Sequence, residues 1–326
     1  MMNEIKECKF CKGTSFKPHS TAKYWENVKL NFVECESCGL IFTNPMPGMD
    51  IVSRGNRAYS ILHKYRGTIS QYRGGKDYAF TLKRKAKTGK FLDIGCAEGI
   101  FLKGIEENSN WQAEGLDIIE KAVEFANDVL KIKVHLGTLE TFDARENYYD
   151  YVRMNNVIEH IQDPVLFLEK TNKIMKQGGT VYCSTPNGVQ DGAVLKTANK
   201  QGYDINLQEN HFYYYPPKTL RKIFEHCGFK IVHAYSEDIS HSLSDFGITS
   251  GLKKPPTGEK FSLEYYDKIP DYEFSIDPEE VKEYKTHSSA KSWKVLLNKY
   301  RREIFRFRFP YFMPVGHQQH IYAKKI

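Results

Sequence analysis

The chain has 326 residues, of which 40% are hydrophobic and 13% aromatic, enough to bury a sizeable core in two domains or one elaborated domain. No apolar run approaches the roughly 20 residues that a membrane-spanning helix needs, and the start MMNEIKECK is too polar for a signal peptide. We therefore expect a globular, cytoplasmic protein. The net charge of +7 is modest and does not by itself indicate nucleic-acid binding.

Four cysteines form two closely spaced pairs near the N-terminus. Cys8 and Cys11 make one C-x2-C pair, and Cys35 and Cys38 make the other. Two residues between cysteines let one turn present both sulfurs to a tetrahedral zinc ion, whereas two disulfides, the alternative, would need an oxidising compartment. A closed four-thiolate site leaves no coordination position for water, so we expect structural zinc. The predicted zinc-ribbon module spans residues 1–48.

A glycine-containing turn follows at residues 91–99, FLDIGCAEG. The pattern is that of a strand, a tight turn and the start of a helix. Gly95, Ala97 and Gly99 allow a ligand to approach the backbone closely, and the new helix offers unpaired N–H groups there. The spacing differs from the G-x-G-x-x-G of dinucleotide folds, and Asp93 suits a cationic ligand better than a pyrophosphate.

A second acid stands at the end of the next predicted strand, in the run AEGLDI. Asp117 lies about where α/β folds place the carboxylate that binds both hydroxyls of a ribose. A cationic, ribose-bearing cofactor fits both Asp93 and Asp117. A glycine-rich turn without a ligand, or a site for another nucleotide, is the alternative.

Strand and helix patterns alternate through the rest of the chain, which predicts an α/β fold with a doubly wound, seven-stranded, mostly parallel sheet. Helices are predicted at 101–108, 120–130, 165–175 and 218–227. The strands after the first are predicted at 113–118, 133–136, 150–155, 180–184, 229–235 and 320–324. The segment from Gly188 to Gln208 has a less regular pattern, typical of a lid or substrate loop.

A further motif follows the fourth core strand. Glu159-His160 is followed by Asp163-Pro164, which has the pattern of a helix cap and a first helical position. The D-x-G-x-A-x-G turn and this E-H-x-x-D-P motif together resemble class I S-adenosylmethionine-dependent methyltransferases, specifically enzymes of sugar or polysaccharide biosynthesis and of the ubiquinone pathway. Ala97 replaces the middle glycine of the family turn. The resemblance covers most of residues 8–235 and the final strand.

The resemblance implies a Rossmann-like fold that binds S-adenosylmethionine. It implies a helical segment at 49–88 that covers the cofactor, a methyltransferase core at 89–236, and a last core strand at 317–326. The residues expected to contact the cofactor lie at strand ends and in the glycine turn: Asp93, Gly95, Cys96, Ala97, Gly99, Asp117, Ile118, Leu139 and Asn155.

Methylation of an alcohol needs a base, and imidazole is suited to that task near neutral pH. The stretch Glu209-Asn210-His211-Phe212-Tyr213-Tyr214 resembles a block of zinc-containing sugar methyltransferases. His211 is the first candidate for the base and His160 the second. Glu209 is expected to orient His211 or to share its role. A structural histidine that bonds a loop backbone is the alternative for each.

The resemblance implies a methyl transfer to a sugar hydroxyl or carbon, on a nucleotide-sugar, a lipid-linked sugar or a surface polysaccharide precursor. One alternative is an RNA methyltransferase that binds RNA through the zinc ribbon, although no motif for base amines follows the fourth strand and we expect no nucleic-acid partner. Others are methylation of a quinone-like small molecule and a non-catalytic, zinc-dependent binding module. Sequence spacing does not fix the oligomeric state.

An insertion is predicted at 237–316, before the last strand. Its later part, residues 285–309, alternates basic and apolar residues. Such a segment fits peripheral contact with an anionic membrane at the inner face, binding of a nucleotide-sugar diphosphate, or ordinary packing on the core with its lysines solvated. Packing is the default among the three.

Overall fold

The chain folds around a mostly parallel β-sheet. A smaller, five-stranded sheet takes three of its strands from the N-terminal part of the chain. The computed structural model describes residues 2–25, 28–62, 68–237, 262–268, 309–310 and 316–326. Most of the predicted insertion, including residues 285–308 of its basic segment, lies outside these described residues. Among the described helices, none combines the length and the apolar composition needed to cross a lipid bilayer.

The elements before the glycine turn are five strands and two helices: β1 (Met2–Asn3), β2 (Phe16–Tyr24), β3 (Val28–Cys35), β4 (Ile41–Thr43), β5 (Met46–Pro47), α1 (Met49–Leu62) and α2 (Thr68–Lys85). The core continues with β6 (Lys90–Ile94), α3 (Ile100–Glu106), β7 (Gln112–Asp117), α4 (Glu120–Asp128), β8 (Val134–Leu136), β9 (Tyr149–Asn155), a 3-10 helix (Ile158–His160) and α5 (Pro164–Ile174). The remaining elements are β10 (Met175–Pro186), α6 (Gly188–Lys200), β11 (Ile205–Leu207), β12 (Tyr213–Tyr214), α7 (Pro217–His226), β13 (Phe229–Glu237), α8 (Leu263–Asp267), β14 (Phe309–Pro310) and β15 (Gln318–Lys325).

The central sheet has the order β14-β13-β15-β10-β9-β6-β7-β8. Strands β6 to β10 pair in parallel, whereas β15 inserts antiparallel between β10 and β13. The seven predicted strands are all present, and the two-residue strand β14 adds an eighth within the described part of the chain. The predicted fold class is therefore confirmed.

Both faces of this sheet are covered by helices. Successive residues of β6 enter different apolar clusters: Phe91 packs with residues of α2, α3 and α4, while Leu92 and Ile94 pack with residues of α5 and α7. Strand residues point alternately to the two faces, so two clusters on opposite sides define a doubly wound sheet. At the start of α5, the Asp163 side chain accepts a 3.1 Å hydrogen bond from Leu166 N, which confirms the predicted cap.

The smaller sheet has the order β11-β2-β3-β4-β12. Strands β2, β3 and β4 come from the predicted N-terminal module, but β11 and β12 come from residues 205–214. β11 pairs in parallel with β2, and β12 pairs antiparallel with β4. Each edge of the N-terminal sheet is therefore closed by a strand from the core sequence, which satisfies backbone groups that would otherwise be exposed.

The prediction of an irregular conformation for residues 188–208 is wrong, because the segment begins with the 13-residue helix α6. The side chain of Asn187 caps this helix by accepting a hydrogen bond from Val189 N. Its buried face includes small and polar residues: Gly188, Gln190, Gly192, Leu195 and Ala198. This composition gives no clear apolar periodicity, which is the signal that sequence analysis uses to recognise a helix.

Helices α2 and α3 approach each other through glycines. A Cβ atom at Gly75 would lie 2.0 Å from the carbonyl oxygen of Phe101, and one at Gly104 would lie 2.4 Å from the carbonyl oxygen of Tyr72. The neighbouring Gly74 differs, because a Cβ atom there would meet the Phe101 ring at an ordinary 3.7 Å. The backbone contact therefore fixes the place of α2 against the glycine turn that begins α3.

We predict that Gly75→Ala lowers the free energy of unfolding by about 1–3 kcal/mol, because its methyl group would overlap a backbone oxygen. Gly74→Ala is the matched control in the same helix, and it should be neutral or stabilising by up to ~1 kcal/mol. Urea denaturation of both variants measures the difference. Equal stability of the two variants would contradict the proposed close contact.

Candidate functional site

The glycine turn joins β6 to α3 and has an unusual backbone. Gly95, Ala97 and Gly99 all have positive φ angles, of 71°, 47° and 71°. The Asp117 carboxylate holds this turn, since it accepts a 2.8 Å hydrogen bond from Ala97 N and a 2.9 Å bond from Ile119 N. Burial raises the pKa of Asp117, against the opposing effect of these backbone N–H groups. The turn and the second predicted acid therefore form one unit.

The first predicted acid, Asp93, is completely buried in β6. Arg153, the residue paired with it on β9, places Nη1 2.8 Å from both oxygens of the Asp93 carboxylate. The guanidinium also lies 4.0 Å from the centre of the Phe101 ring. A cationic ligand at this strand end would therefore meet an ion pair, where the sequence indicated a free carboxylate.

The other residues predicted to bind the cofactor lie around the same edge of the sheet. Cys96 is in the turn, Ile118 follows β7 and Leu139 follows β8. Asn155 ends β9, and its side-chain oxygen accepts a 2.7 Å hydrogen bond from Ser184 Oγ. Ile118 is 50% exposed, which is unusual for a large apolar side chain beside a buried acid. These positions meet because neighbouring parallel strands end at one edge.

The four N-terminal cysteines form one cluster. The sulfurs of Cys8 and Cys38 are 3.7 Å apart, those of Cys11 and Cys35 are 3.5 Å apart, and all four lie within 4.8 Å of one another. Thiolates held in a tetrahedron at Zn–S distances of about 2.3 Å are separated by about 3.8 Å. Every cysteine of the chain is a free thiol in this structure, so the two-disulfide alternative is not formed. The arrangement fits a tetrahedral metal.

A second cluster lies beyond the ends of β9 and β10. His160 is in the 3-10 helix after β9, and His211 lies between β11 and β12, with ring centres 5.0 Å apart. His211 Nε2 is 2.8 Å from Glu209 Oε2, and Tyr59 Oη donates a 3.1 Å hydrogen bond to Glu209 Oε1. The structure thus brings together the three predicted catalytic residues, His211, His160 and Glu209.

The two histidines have opposite acid–base character. Burial lowers the pKa of His160 to about 4. Its Nδ1–H donates a 3.0 Å hydrogen bond to the carbonyl oxygen of Asn210. Burial also disfavours the charged form of His211, but the hydrogen bond to Glu209 and the charges of Glu159 and Glu209 outweigh it and raise the pKa of His211. That bond lowers the pKa of Glu209 to about 2. His211 is therefore the stronger base of the pair.

Glu159 is a third titratable group in this cluster and is 1% exposed. Its Oε2 accepts a 2.8 Å hydrogen bond from Thr185 Oγ1, while Oε1 has no hydrogen-bond partner among the described residues. Burial raises the pKa of Glu159 to about 7. One Glu159 oxygen and one nitrogen from each of His160 and His211 lie within 4.8 Å of one another, a donor set that a divalent transition metal can use.

A cavity of about 300 Å³ adjoins His211 and Glu209. Its apolar lining comes from Val194, Leu195, Ile205, Leu207 and Tyr214. Its polar lining adds Tyr59, Asp191, Asn206, Gln208 and His317 to the His211–Glu209 pair. Nδ1 of His317 and Oδ1 of Asp191 are 3.9 Å apart. The cavity therefore offers carboxylates, imidazoles and amides beside an apolar wall.

The fold and this site can be compared with known proteins. A family model described as a methyltransferase domain matches residues 63–234, more than half of the chain. The chain belongs to this methyltransferase family.

Individual relatives of this methyltransferase chain match shorter stretches. A ubiquinone biosynthesis O-methyltransferase of Nitrosospira multiformis is 32% identical over 102 residues, which cover 29% of this chain and 42% of that protein. An uncharacterized methyltransferase of Schizosaccharomyces pombe is 31% identical over 117 residues, covering 32% and 42%. The chain thus spans less than half the length of these relatives. A SAM-dependent methyltransferase structure from Thermotoga maritima overlays at a TM-score of 0.47 with 13% identity, over 83% of this chain and 99% of that one.

Sequence reasoning missed several residues of the candidate site. Arg153 had a local signal, since it is the one basic residue inside the strand YDYVRMN. Glu159 belonged to a recognised motif, but nothing in the sequence showed that its carboxyl group is buried beside His211. Asp191 and His317 are far apart in the chain, so their meeting at the cavity had no sequence signal.

We predict that His160 stays uncharged down to about pH 4 and that His211 titrates above the ordinary histidine value near 6.5. As pH falls from 6.5 towards 4, unfolded His160 binds a proton while the folded residue does not, so this group lowers stability on acidification. Proton–nitrogen NMR of the imidazoles follows both titrations. A midpoint near 6.5 for His160 would contradict its buried, neutral state.

Proposed function

We propose that this methyltransferase-family chain uses S-adenosylmethionine to methylate a hydroxyl group of a polar, sugar-like acceptor, with His211 as the general base. The observation that carries the proposal is the His211–Glu209 pair on the wall of the cavity of about 300 Å³. A sugar carbon with an acidic proton is a second acceptor atom that the same base would serve. Membership of the family supports methyl transfer, whereas the acceptor and the base are part of the proposal.

The residues of the glycine turn fit S-adenosylmethionine. Three residues with positive φ leave the turn open to close approach, and the Asp117 carboxylate beside it suits a ribose. The half-exposed Ile118 offers an apolar face for an adenine ring. When bound, the cofactor supplies an electrophilic methyl group on a cationic sulfur. The task of the chain is to align the acceptor with that methyl group and to exclude water.

The base is assigned to His211, because burial lowers the pKa of His160 to about 4 and makes that ring a weak base. The contact between His211 Nε2–H and Glu209 fixes the ring tautomer and leaves Nδ1 to take a proton from the acceptor hydroxyl. Glu209 then stabilises the imidazolium that forms. Tyr59 donates to the second oxygen of Glu209 and keeps that carboxylate in place.

The charged and hydrogen-bonding lining of the cavity supports an acceptor rich in hydroxyl groups. A sugar presents hydroxyls to carboxylates and imidazoles and an apolar ring face to an aromatic side chain such as Tyr214. A quinol-like hydroxyl is the second candidate, because several of the matched relatives are named for ubiquinone biosynthesis. A sugar acceptor offers hydroxyl groups to Asp191 and His317, which line the cavity.

The four-cysteine cluster is proposed to hold a structural zinc ion. Its sulfur separations of 3.5 and 3.7 Å suit a closed tetrahedral site. Each edge of the N-terminal sheet is already paired with core strands, which favours an internal role over the RNA-binding alternative.

We predict that two substitutions separate turnover from cofactor binding. His211→Ala should lower kcat at least about 100-fold and leave S-adenosylmethionine affinity unchanged, because it removes the base alone. Asp117→Ala should weaken cofactor binding about tenfold or more, because it removes a charged hydrogen-bond acceptor. Calorimetry measures affinity, and mass spectrometry of candidate nucleotide-sugars and glycans detects the added methyl group.

Asp128 is exposed, and Asp128→Ala is the matched control for Asp117→Ala. It should change neither kcat nor the affinity for S-adenosylmethionine. Unchanged turnover in His211→Ala would remove the assigned base, and unchanged affinity in Asp117→Ala would remove the assigned cofactor site. Methylation of a quinol in place of any sugar would replace the acceptor class.

We predict one zinc ion per chain in the purified protein, measured by elemental mass spectrometry. Cys11→Ser should lose the zinc and lower the thermal midpoint, because four thiolates are needed to close the site. Cys227→Ser is the control, since Cys227 is a buried cysteine outside the cluster. Absence of zinc would contradict the structural site, whereas a second equivalent would place a metal at Glu159, His160 and His211.

A further inference from the structure

Asn210 joins three separate parts of the chain at the centre of the candidate site. It lies between Glu209 and His211 and is 6% exposed. Its side-chain oxygen accepts a hydrogen bond from Tyr24 Oη, and its side-chain nitrogen donates to Asn56 Oδ1. Its backbone carbonyl oxygen accepts the Nδ1–H of His160 at 3.0 Å. One residue thus connects the N-terminal sheet and α1 to both histidines.

The contact between Tyr24 and Asn210 depends on a glycine. A Cβ atom at Gly55 of α1 would lie 1.4 Å from Tyr24 Oη, so a side chain there would displace the hydroxyl. Because Gly in a helix interior is less stabilising than Ala, Gly55 lowers the stability of α1. The absence of a side chain at Gly55 gives the Tyr24 hydroxyl room to reach Asn210.

The backbone on each side of Asn210 is also held by the N-terminal sheet. Trp25 N donates a 3.1 Å hydrogen bond to Leu207 O, and Thr43 N donates a 2.9 Å bond to Phe212 O. These bonds hold Leu207 and Phe212, the two ends of the segment. Between them, His211 N donates a 2.9 Å hydrogen bond to Glu209 O. The buried side chain of Asn210 supplies an anchor in the middle of the segment.

We propose that Asn210, held by the Tyr24 hydroxyl, is a positioning residue that sets the orientation of His160 and His211 for methyl transfer. The inference rests on the proposed function, because it assumes that His211 is the base. It connects the N-terminal sheet to the reaction indirectly, through the hydroxyl group at the end of β2. Asn210 acts through the two histidines and is not assigned a contact with the acceptor.

A purely structural role is the competing explanation, and Tyr24→Phe separates the two. This substitution keeps the ring and removes the hydroxyl group that holds Asn210. Tyr149→Phe is the matched control, since Tyr149 is also buried and its hydroxyl donates one 2.9 Å hydrogen bond, to Glu114 Oε1, away from the histidines. Each variant loses a buried hydrogen bond, so each should lose some stability.

We predict that Tyr24→Phe lowers kcat about tenfold while the KM for the acceptor and the affinity for S-adenosylmethionine change less than about twofold, because misplaced catalytic groups reduce turnover more than binding. The NMR signal of the His160 Nδ1–H, protected by its bond to Asn210, should shift and exchange faster. Gly55→Ala should reproduce both effects without loss of helical content. Tyr149→Phe should show neither.

Two outcomes overturn the inference. Turnover and a His160 signal in Tyr24→Phe equal to those of Tyr149→Phe would show that the Tyr24 hydroxyl has a structural role alone. Wild-type turnover in Gly55→Ala, with the His160 signal unchanged, would show that the approach of Tyr24 to Asn210 is not needed. His211→Ala is measured in parallel: if it abolishes turnover while Tyr24→Phe does not reduce it, the positioning role fails and the proposed base remains.

Discussion

Backbone hydrogen bonds between two sheet edges and residues 205–214 determine where Glu209 and the proposed base, His211, lie. β11 pairs with β2 on one edge, and β12 pairs with β4 on the other. Glu209 and His211 stand in the short connection between these two strands. Catalytic groups on loops need a rigid support, because a free loop would distribute them over many conformations. Here the support comes from a sheet that is distant in sequence, and the proposed zinc ion would secure its far end.

In this cluster, the surroundings give chemically identical side chains different pKa values. His160 and His211 are 5.0 Å apart, yet burial lowers the pKa of the first and two carboxylates raise that of the second. The acids differ in the same way, since the bond from His211 lowers the pKa of Glu209 while burial raises that of Glu159. Desolvation and a paired charge act in opposite directions on each group. Such separation is typical of sites that move protons.

The sequence predicted those parts of the molecule that have a local pattern. Small residues at 95, 97 and 99, the acid at 117 and the cap at Asp163 each identified an element and its place in the fold. α6 was missed because its buried face has two glycines, an alanine, a glutamine and a single leucine rather than a regular apolar stripe. The Asp93–Arg153 ion pair depends on the register of two strands, and the bonds of Asn210 depend on three distant segments. Such contacts follow from tertiary structure, so sequence spacing contained no signal for them.

The place of β15 has a consequence for biosynthesis. This strand lies between β10 and β13, although both are earlier in the chain. During translation, β10 and β13 leave the ribosome with unpaired edges that β15 later closes. Exposed strand edges can pair with other chains and cause aggregation. Until residues 318–325 pair with them, these two edges are therefore open to such contacts, and a chaperone that shields them would protect the chain in that interval.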